Sequence, residues 1–103
     1  MTQGKRTWYL YVVLCSDETL YTGITVDVLR RLKQHNAGTG ARYTSTRGPV
    51  TLLAYWGCAG QGDALRAERA FKALSRARKL RLVASQEAFR GAKPGQIESL
   101  NAL

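Results

Sequence analysis

Between Tyr21 and His35 the chain reads YTGITVDVLRRLKQH and sets a phenol, a glycine, a guanidinium and an imidazole within one strand–helix unit. Asp27, Arg31 and His35 recur at i, i+4 and i+8, the spacing that puts three side chains on one helix face. Leu29 and Leu32 belong to a different, apolar side. Gly23 suits a sharp strand exit or the close approach of a ligand backbone, because glycine takes backbone angles closed to other residues. Tyr9, Tyr11 and Tyr21 fall on two strands expected to pair. A free phenol titrates near 10, so about one in a thousand is ionised at pH 7. A neighbouring cation such as Arg31, or a metal, would raise that fraction. A phenolate could take a proton from an attacking water, and an arginine would steady charge on phosphoryl oxygens. Among the acids only Glu68 stands in mid-helix, and it fits a single carboxylate ligand to a hard cation such as Mg²⁺. Together these groups make sense as metal-assisted phosphodiester hydrolysis. The plainer alternatives are a solvated basic helix face, tyrosines used for packing, and an i,i+4 ion pair of Glu68 with Lys72 worth a few tenths of a kcal/mol.

The elements that must hold these groups follow from periodicity. Trp8 to Cys15 is aromatic and β-branched, with an apolar run that suits a central strand buried on both faces. Ser16–Glu18 supplies turn chemistry, and Thr19 to Ile24 returns as the second strand of a hairpin. Thr25 or Asp27 caps the following helix, and Asn36 to Gly38 ends it. Gly38 to Pro49 (GTGARYTSTRGP) is expected to be a long loop in which Arg42, Tyr43 and Arg47 suit phosphate and base contact. Val50 to Trp56 is a third strand. Asp63 is placed to cap a helix through Leu74 whose stripe is Ala64, Ala67, Phe71 and Leu74. Ser75 caps a further helix through Ala84, with Leu80 and Val83 expected inward. Arg69, Lys72, Arg76 and Lys79 form a basic ridge if these two helices run on together, and a turn at Ser75 would break it.

Composition bounds the function. The chain has 103 residues, 45% of them hydrophobic, and a net charge of +9 from 16 Lys+Arg against 7 Asp+Glu. One domain is expected, with roughly two-thirds of the unfolded surface buried. Residues 1–6 are expected to be a flexible basic N-terminus, 7–85 the folded domain and 86–103 a weakly structured tail broken by Gly91 and Pro94–Gly95. The charge attracts polyanions, nucleic acid before anionic membrane. No apolar run approaches the ~20 residues that span a bilayer, and a cytoplasmic protein is expected. Cys15 and Cys58 lack metal-ligand spacing and read as buried thiols, and with a single histidine a Cys/His zinc site is excluded. P-loop, G-x-S-x-G and His-Glu-x-x-His patterns are missing.

Over residues 7–85 the chain resembles the GIY-YIG nuclease domain, in particular its small single-domain bacterial, YhbQ-like branch. Tyr9-Leu10-Tyr11 stands for the first family motif and Tyr21-Thr22-Gly23 for the second. The helix arginine falls on Arg31, the histidine on His35 and the acidic metal ligand on Glu68. GARYTSTRGPV and ALSRARKLRLV are similar to that branch specifically. The resemblance implies an α+β fold, with a three-stranded antiparallel β-sheet flanked by α-helices. It also implies DNA cleavage by a single divalent cation, Mg²⁺ or Mn²⁺, of the kind that serves DNA repair or recombination. In these terms Tyr11 or Tyr21 helps activate water with His35 as a partner for that proton, Arg31 stabilises the transition state, and Glu68 holds the metal. Arg30, Lys33, Arg42, Tyr43, Arg47, Lys72 and Arg76 are the residues expected to touch nucleic acid, and Gly23 is the structural turn. Leu10 and Thr22 replace the motif isoleucines, Ile24 stands where some members carry a lysine, and a downstream polar residue has no counterpart near Leu80. These departures keep open a second possibility, a nucleic-acid-binding module of the same fold with weak or no catalysis. A third is a basic structural or ribosome-associated protein. With no second DNA-binding module in the chain, specificity is expected from this domain or from a protein partner.

Overall fold

The computed structural model describes residues 6–101. The segment read as a flexible basic N-terminus therefore lies, apart from Arg6, outside the described residues. The elements are β1 (Trp8–Leu14), β2 (Leu20–Thr25), α1 (Val28–Asn36), α2 (Arg42–Ser45), β3 (Thr51–Cys58), α3 (Gln61–Lys72), α4 (Arg76–Ser85), β4 (Lys93–Pro94) and α5 (Ile97–Asn101). They build an α+β fold whose antiparallel sheet has four strands in the order β2-β1-β3-β4, with helices on both faces.

β1 is the inner strand its composition requires, paired to β2 with Tyr11 opposite Gly23 and to β3 with Tyr11 opposite Tyr55. Its side chains alternate between two environments, as a strand's must. Leu10 and Val12 join Trp56, Ala64, Ala67 and Phe71 in an apolar cluster under α3. Tyr11 and Val13 join Val28 and Tyr55 on the opposite face, with Tyr9, Tyr21 and Leu32 packed around them. The hairpin between β1 and β2 is tied by Asp17, whose carboxylate accepts from both the backbone N–H and the hydroxyl of Thr19. These bonds hold the Asp17 carboxyl below its ordinary pKa, with Arg47 adding to the effect.

Of the two candidates, Asp27 is the cap of α1, its carboxylate accepting from the Arg30 N–H at 3.0 Å. The helix ends as expected: Gly38 sits at φ +82°, a conformation that favours glycine, and its N–H reaches the His35 carbonyl at 3.1 Å. Ser75 caps α4 through the Arg78 N–H, and the interruption of the helix before it separates Arg69 and Lys72 from Arg76 and Lys79, so the continuous basic ridge does not form.

Several expectations are corrected. The sheet gains a fourth strand because Lys93–Pro94, in the segment read as a weakly structured tail, adds to the free edge of β3, and Ile97–Asn101 is helical. α3 starts at Gln61 with Gly60 as its cap. Asp63 lies inside the first turn and pairs with Arg66 instead. Leu80 points outward with 39% exposure, and Leu82 and Val83 pack on the apolar cluster. The stretch from Gly38 to Pro49 is not all loop: Arg42–Ser45 makes one helical turn. Both cysteines are free and buried, and burial pushes both thiols up in pKa.

Candidate functional site

The polar groups singled out in the sequence converge where β1, β2 and α1 meet. Tyr11 projects across β2, and Gly23 is what lets it through. A Cβ on Gly23 would sit 2.6 Å from the Tyr11 hydroxyl, so the residue opposite must lack a side chain. Glycine at this position thus answers a close approach of a phenol, not the sharp strand exit read from the sequence. Beyond Gly23 the Tyr11 hydroxyl lies 2.7 Å from His35 Nε2, and Arg31 Nε donates to the same oxygen at 3.4 Å. Arg31 is steadied by its second contact, Nη1 to Gln34 Oε1 at 3.0 Å.

His35 is 1% exposed and both ring nitrogens are engaged, Nε2 with Tyr11 and Nδ1 with the Thr44 hydroxyl at 2.7 Å. Burial, reinforced by the Arg31 charge, lowers its pKa and keeps the imidazole neutral. Tyr11 is 2% exposed, and burial pushes its pKa up to about 12 despite the bond from Arg31. That reverses the sequence-based expectation: the neighbouring cation does favour the phenolate, but the loss of solvent around the phenol outweighs it. Glu68 is close enough for its charge to push Tyr11 in the same direction. Its side chain is 20% exposed and pairs with Lys72 at 3.2 Å, so Lys72, expected to touch nucleic acid, is engaged with the carboxylate. Among the described residues no three His, Cys, Asp or Glu side chains converge. A cation held by this single partly exposed carboxylate would have to draw most of its ligands from outside the protein's side chains.

Tyr21 stands edge-on to His35 at 5.3 Å and stacks on Tyr43 at 5.8 Å, their planes 22° apart. The Arg47 guanidinium lies 4.0 Å above the Tyr43 ring, and the series ends at the Arg47–Asp17 ion pair of 3.1 Å. Tyr43 and Arg47 are therefore joined to the Tyr11 cluster through Tyr21. Arg30, Arg31 and Gln34 instead line a cavity of about 330 Å³ with Trp8 and Thr25. Lys33, Arg42 and Arg76 are exposed outside these clusters. Thr44 is the polar residue the sequence reading passed over. It is fully buried, though its neighbours Tyr43 and Ser45 are exposed, and the only available sign was a threonine at one helical turn's remove from Arg47 in a stretch otherwise read as loop.

The family model for the GIY-YIG catalytic domain matches residues 7–81, and the chain belongs to that family. It is similar to the UPF0213 protein of Cupriavidus pinatubonensis, 45% identical over 81% of this chain and 92% of the relative. It is also similar to the UPF0213 protein of Natronomonas pharaonis, 49% identical over 76% and 92% of the two chains. The solution NMR structure of a UPF0213 protein from Bacillus halodurans superposes with a TM-score of 0.52 at 44% identity, covering 78% of this chain and 85% of that one. No helix among the described residues is long and apolar enough to cross a membrane.

Proposed function

We propose that the chain is a nucleic-acid-binding domain of the GIY-YIG fold, DNA being the first candidate, whose hydrolytic centre is weak at rest. The observation that carries this reading is the continuous series Arg47–Tyr43–Tyr21–His35 beside Arg31, on a chain of net charge +9. Guanidinium groups take phosphates, and exposed aromatic and guanidinium faces take bases. The weak centre is supported by two features. A phenol whose pKa is pushed up to about 12 holds its proton at neutral pH. Glu68 is paired with Lys72. Relationship to the YhbQ-like branch, a cytoplasmic setting and a protein partner that supplies specificity belong to the same proposal.

The 2.7 Å contact between Tyr11 and His35 favours a second reading, a metal-dependent endonuclease. Tyr11, which has a neutral imidazole within reach, is better placed than Tyr21 to relay a proton. An attacking water would give its proton to the phenol oxygen as the phenol passes its own to His35 Nε2. Arg31 would face the phosphoryl oxygens. Glu68 would hold Mg²⁺ or Mn²⁺, which when bound supplies charge neutralisation at the phosphate.

Supercoiled plasmid, with and without Mg²⁺ or Mn²⁺ and at rising salt, tests both readings beside Glu68→Ala and Tyr11→Phe. Salt-sensitive retardation without nicking supports the binding domain. Metal-dependent nicking lost in both variants supports the endonuclease. No retardation at low salt by the parent protein overturns the first reading.

A further inference from the structure

We infer that Thr44 is a positioning residue that selects the tautomer of His35, and through it directs the Tyr11 proton onto His35 Nε2. This rests on the reading in which Tyr11 relays a proton, but its first test does not require activity.

The inference follows from counting hydrogens. Thr44 has one hydroxyl hydrogen, and its hydroxyl donates to the Ala41 carbonyl at 3.1 Å. A carbonyl oxygen only accepts, so with its hydrogen turned that way the Thr44 oxygen is free to accept in turn. The Thr44 oxygen, 2.7 Å from His35 Nδ1, can then take a hydrogen carried by Nδ1, and the phenol calls for that form, because Arg31 only donates to it and Nε2 is the acceptor in reach of its hydrogen. A neutral imidazole holds one N–H, so Nε2 presents a lone pair. The hydrogen in the 2.7 Å contact between Nε2 and Tyr11 therefore comes from the phenol. Arg31 Nε donates to the same phenol oxygen, which is consistent, since that oxygen gives its own hydrogen to His35 and accepts one from Arg31. Each polar atom of the chain Ala41–Thr44–His35–Tyr11–Arg31 then has a partner of the right kind, and no buried side-chain nitrogen or oxygen among the described residues lacks one.

The opposite tautomer would need the Thr44 hydrogen turned onto Nδ1, away from the Ala41 carbonyl, which also accepts from the Ser45 N–H at 3.0 Å. It would also put a hydrogen on Nε2 and leave the phenol hydrogen without an acceptor. Gly40 leaves room for the ring: a Cβ there would lie 2.7 Å from Nδ1 and 2.8 Å from the His35 backbone nitrogen.

His35 is the only histidine in the chain, so ¹⁵N-histidine labelling reports on this ring alone. At neutral pH the parent protein is expected to show a protonated Nδ1 and an unprotonated Nε2 in long-range ¹H–¹⁵N spectra. Thr44→Val keeps the shape and removes the acceptor, and it is expected to move the ring to a mixture or to the Nε2–H form. Thr44→Ser keeps the hydroxyl and should restore the parent pattern. An Nε2–H ring in the parent overturns the inference whether or not any variant folds, and so does a folded Thr44→Val protein with an unchanged ring. If plasmid nicking is observed, Thr44→Val should lower kcat about tenfold or more with KM unchanged, rescued by Thr44→Ser. An altered ring with unchanged nicking would leave the tautomer assignment standing and overturn the Tyr11 relay.

Discussion

The two faces of the sheet solve different problems with the same strand. Under α3, Leu10 and Val12 of β1 meet Trp56 and Phe71, two of the largest fully buried side chains, and Phe89 packs edge-on to Phe71 at 6.0 Å. Such a face works by volume and area, at about 1.5–3 kcal/mol for each large side chain buried. Under α1 the same strand presents Tyr9 and Tyr11, and the buried polar residues His35 and Thr44 lie alongside. That face works by pairing, because a buried donor or acceptor without its partner costs about 1–3 kcal/mol. The difference teaches where stability and chemistry reside: a substitution under α3 should act on the whole fold, whereas one under α1 should act on a few named bonds.

Phe71→Ala should have the largest effect. It opens a cavity under α3 and should cost about 3–5 kcal/mol, read from denaturant midpoints. A cost no larger than that of Tyr11→Phe would erase the contrast between the faces. Next comes alkaline pH. Tyr11 titrates near 10 when unfolded and at about 12 when folded. The unfolded state therefore loses its proton first as pH rises. Stability should fall between pH 10 and 12 by about 2–3 kcal/mol, a slope missing in Tyr11→Phe. His35 sets the acid side: its folded pKa lies below the ordinary value, so the unfolded state gains its proton first, and stability should fall as pH drops below about 6.5. Thermal unfolding across pH checks both limits.

Gly23→Ala sharpens the comparison on the polar face. Its added methyl meets the Tyr11 hydroxyl, and it should cost about 1–3 kcal/mol while parting Tyr11 from His35, visible as a changed His35 ¹⁵N spectrum. Arg47→Ala should have the smallest effect on the fold. Its pair with Asp17 is exposed, and such pairs are worth about 0–1 kcal/mol. The same change should weaken nucleic-acid binding at every sequence and reduce the salt slope by about 1. Equal losses of stability and binding would mean that Arg47 serves only to hold the loop.

Much of this arrangement was legible in the sequence. Arg31 and His35 share a helix face by spacing alone, and the two-residue period of β1 separates Tyr11 from Leu10 and Val12. What escaped reading depends on contacts across the chain. Thr44 matters because α2 folds back on His35, a pairing that no local period announces. β4 is two residues long and contains a proline, so it carries almost no strand signal, yet Trp56 and Gly57 pair with it. In α4 the apolar residues Leu80, Leu82 and Val83 spread over more than one face, and packing beside Leu74 and Phe89 selects Leu82 and Val83. The shift in Tyr11 was misjudged for a similar reason, since proximity of a cation is visible in spacing and loss of solvent is not.

The central claim is that nucleic acid binds through Tyr43 and Arg47 of the aromatic series and through Arg30, which lines the cavity beside Arg31. The most direct test is a fluorescence anisotropy titration of labelled single-stranded and duplex DNA against the parent protein and the triple variant Arg30→Ala/Tyr43→Ala/Arg47→Ala, repeated at several salt concentrations. Binding by the parent with a log–log salt slope of roughly −4.5 on duplex, as for about five phosphate contacts, and a loss of tenfold or more in a folded triple variant, would bear out this account. Equal affinity of the two proteins, or no binding by the parent at low salt, would contradict it.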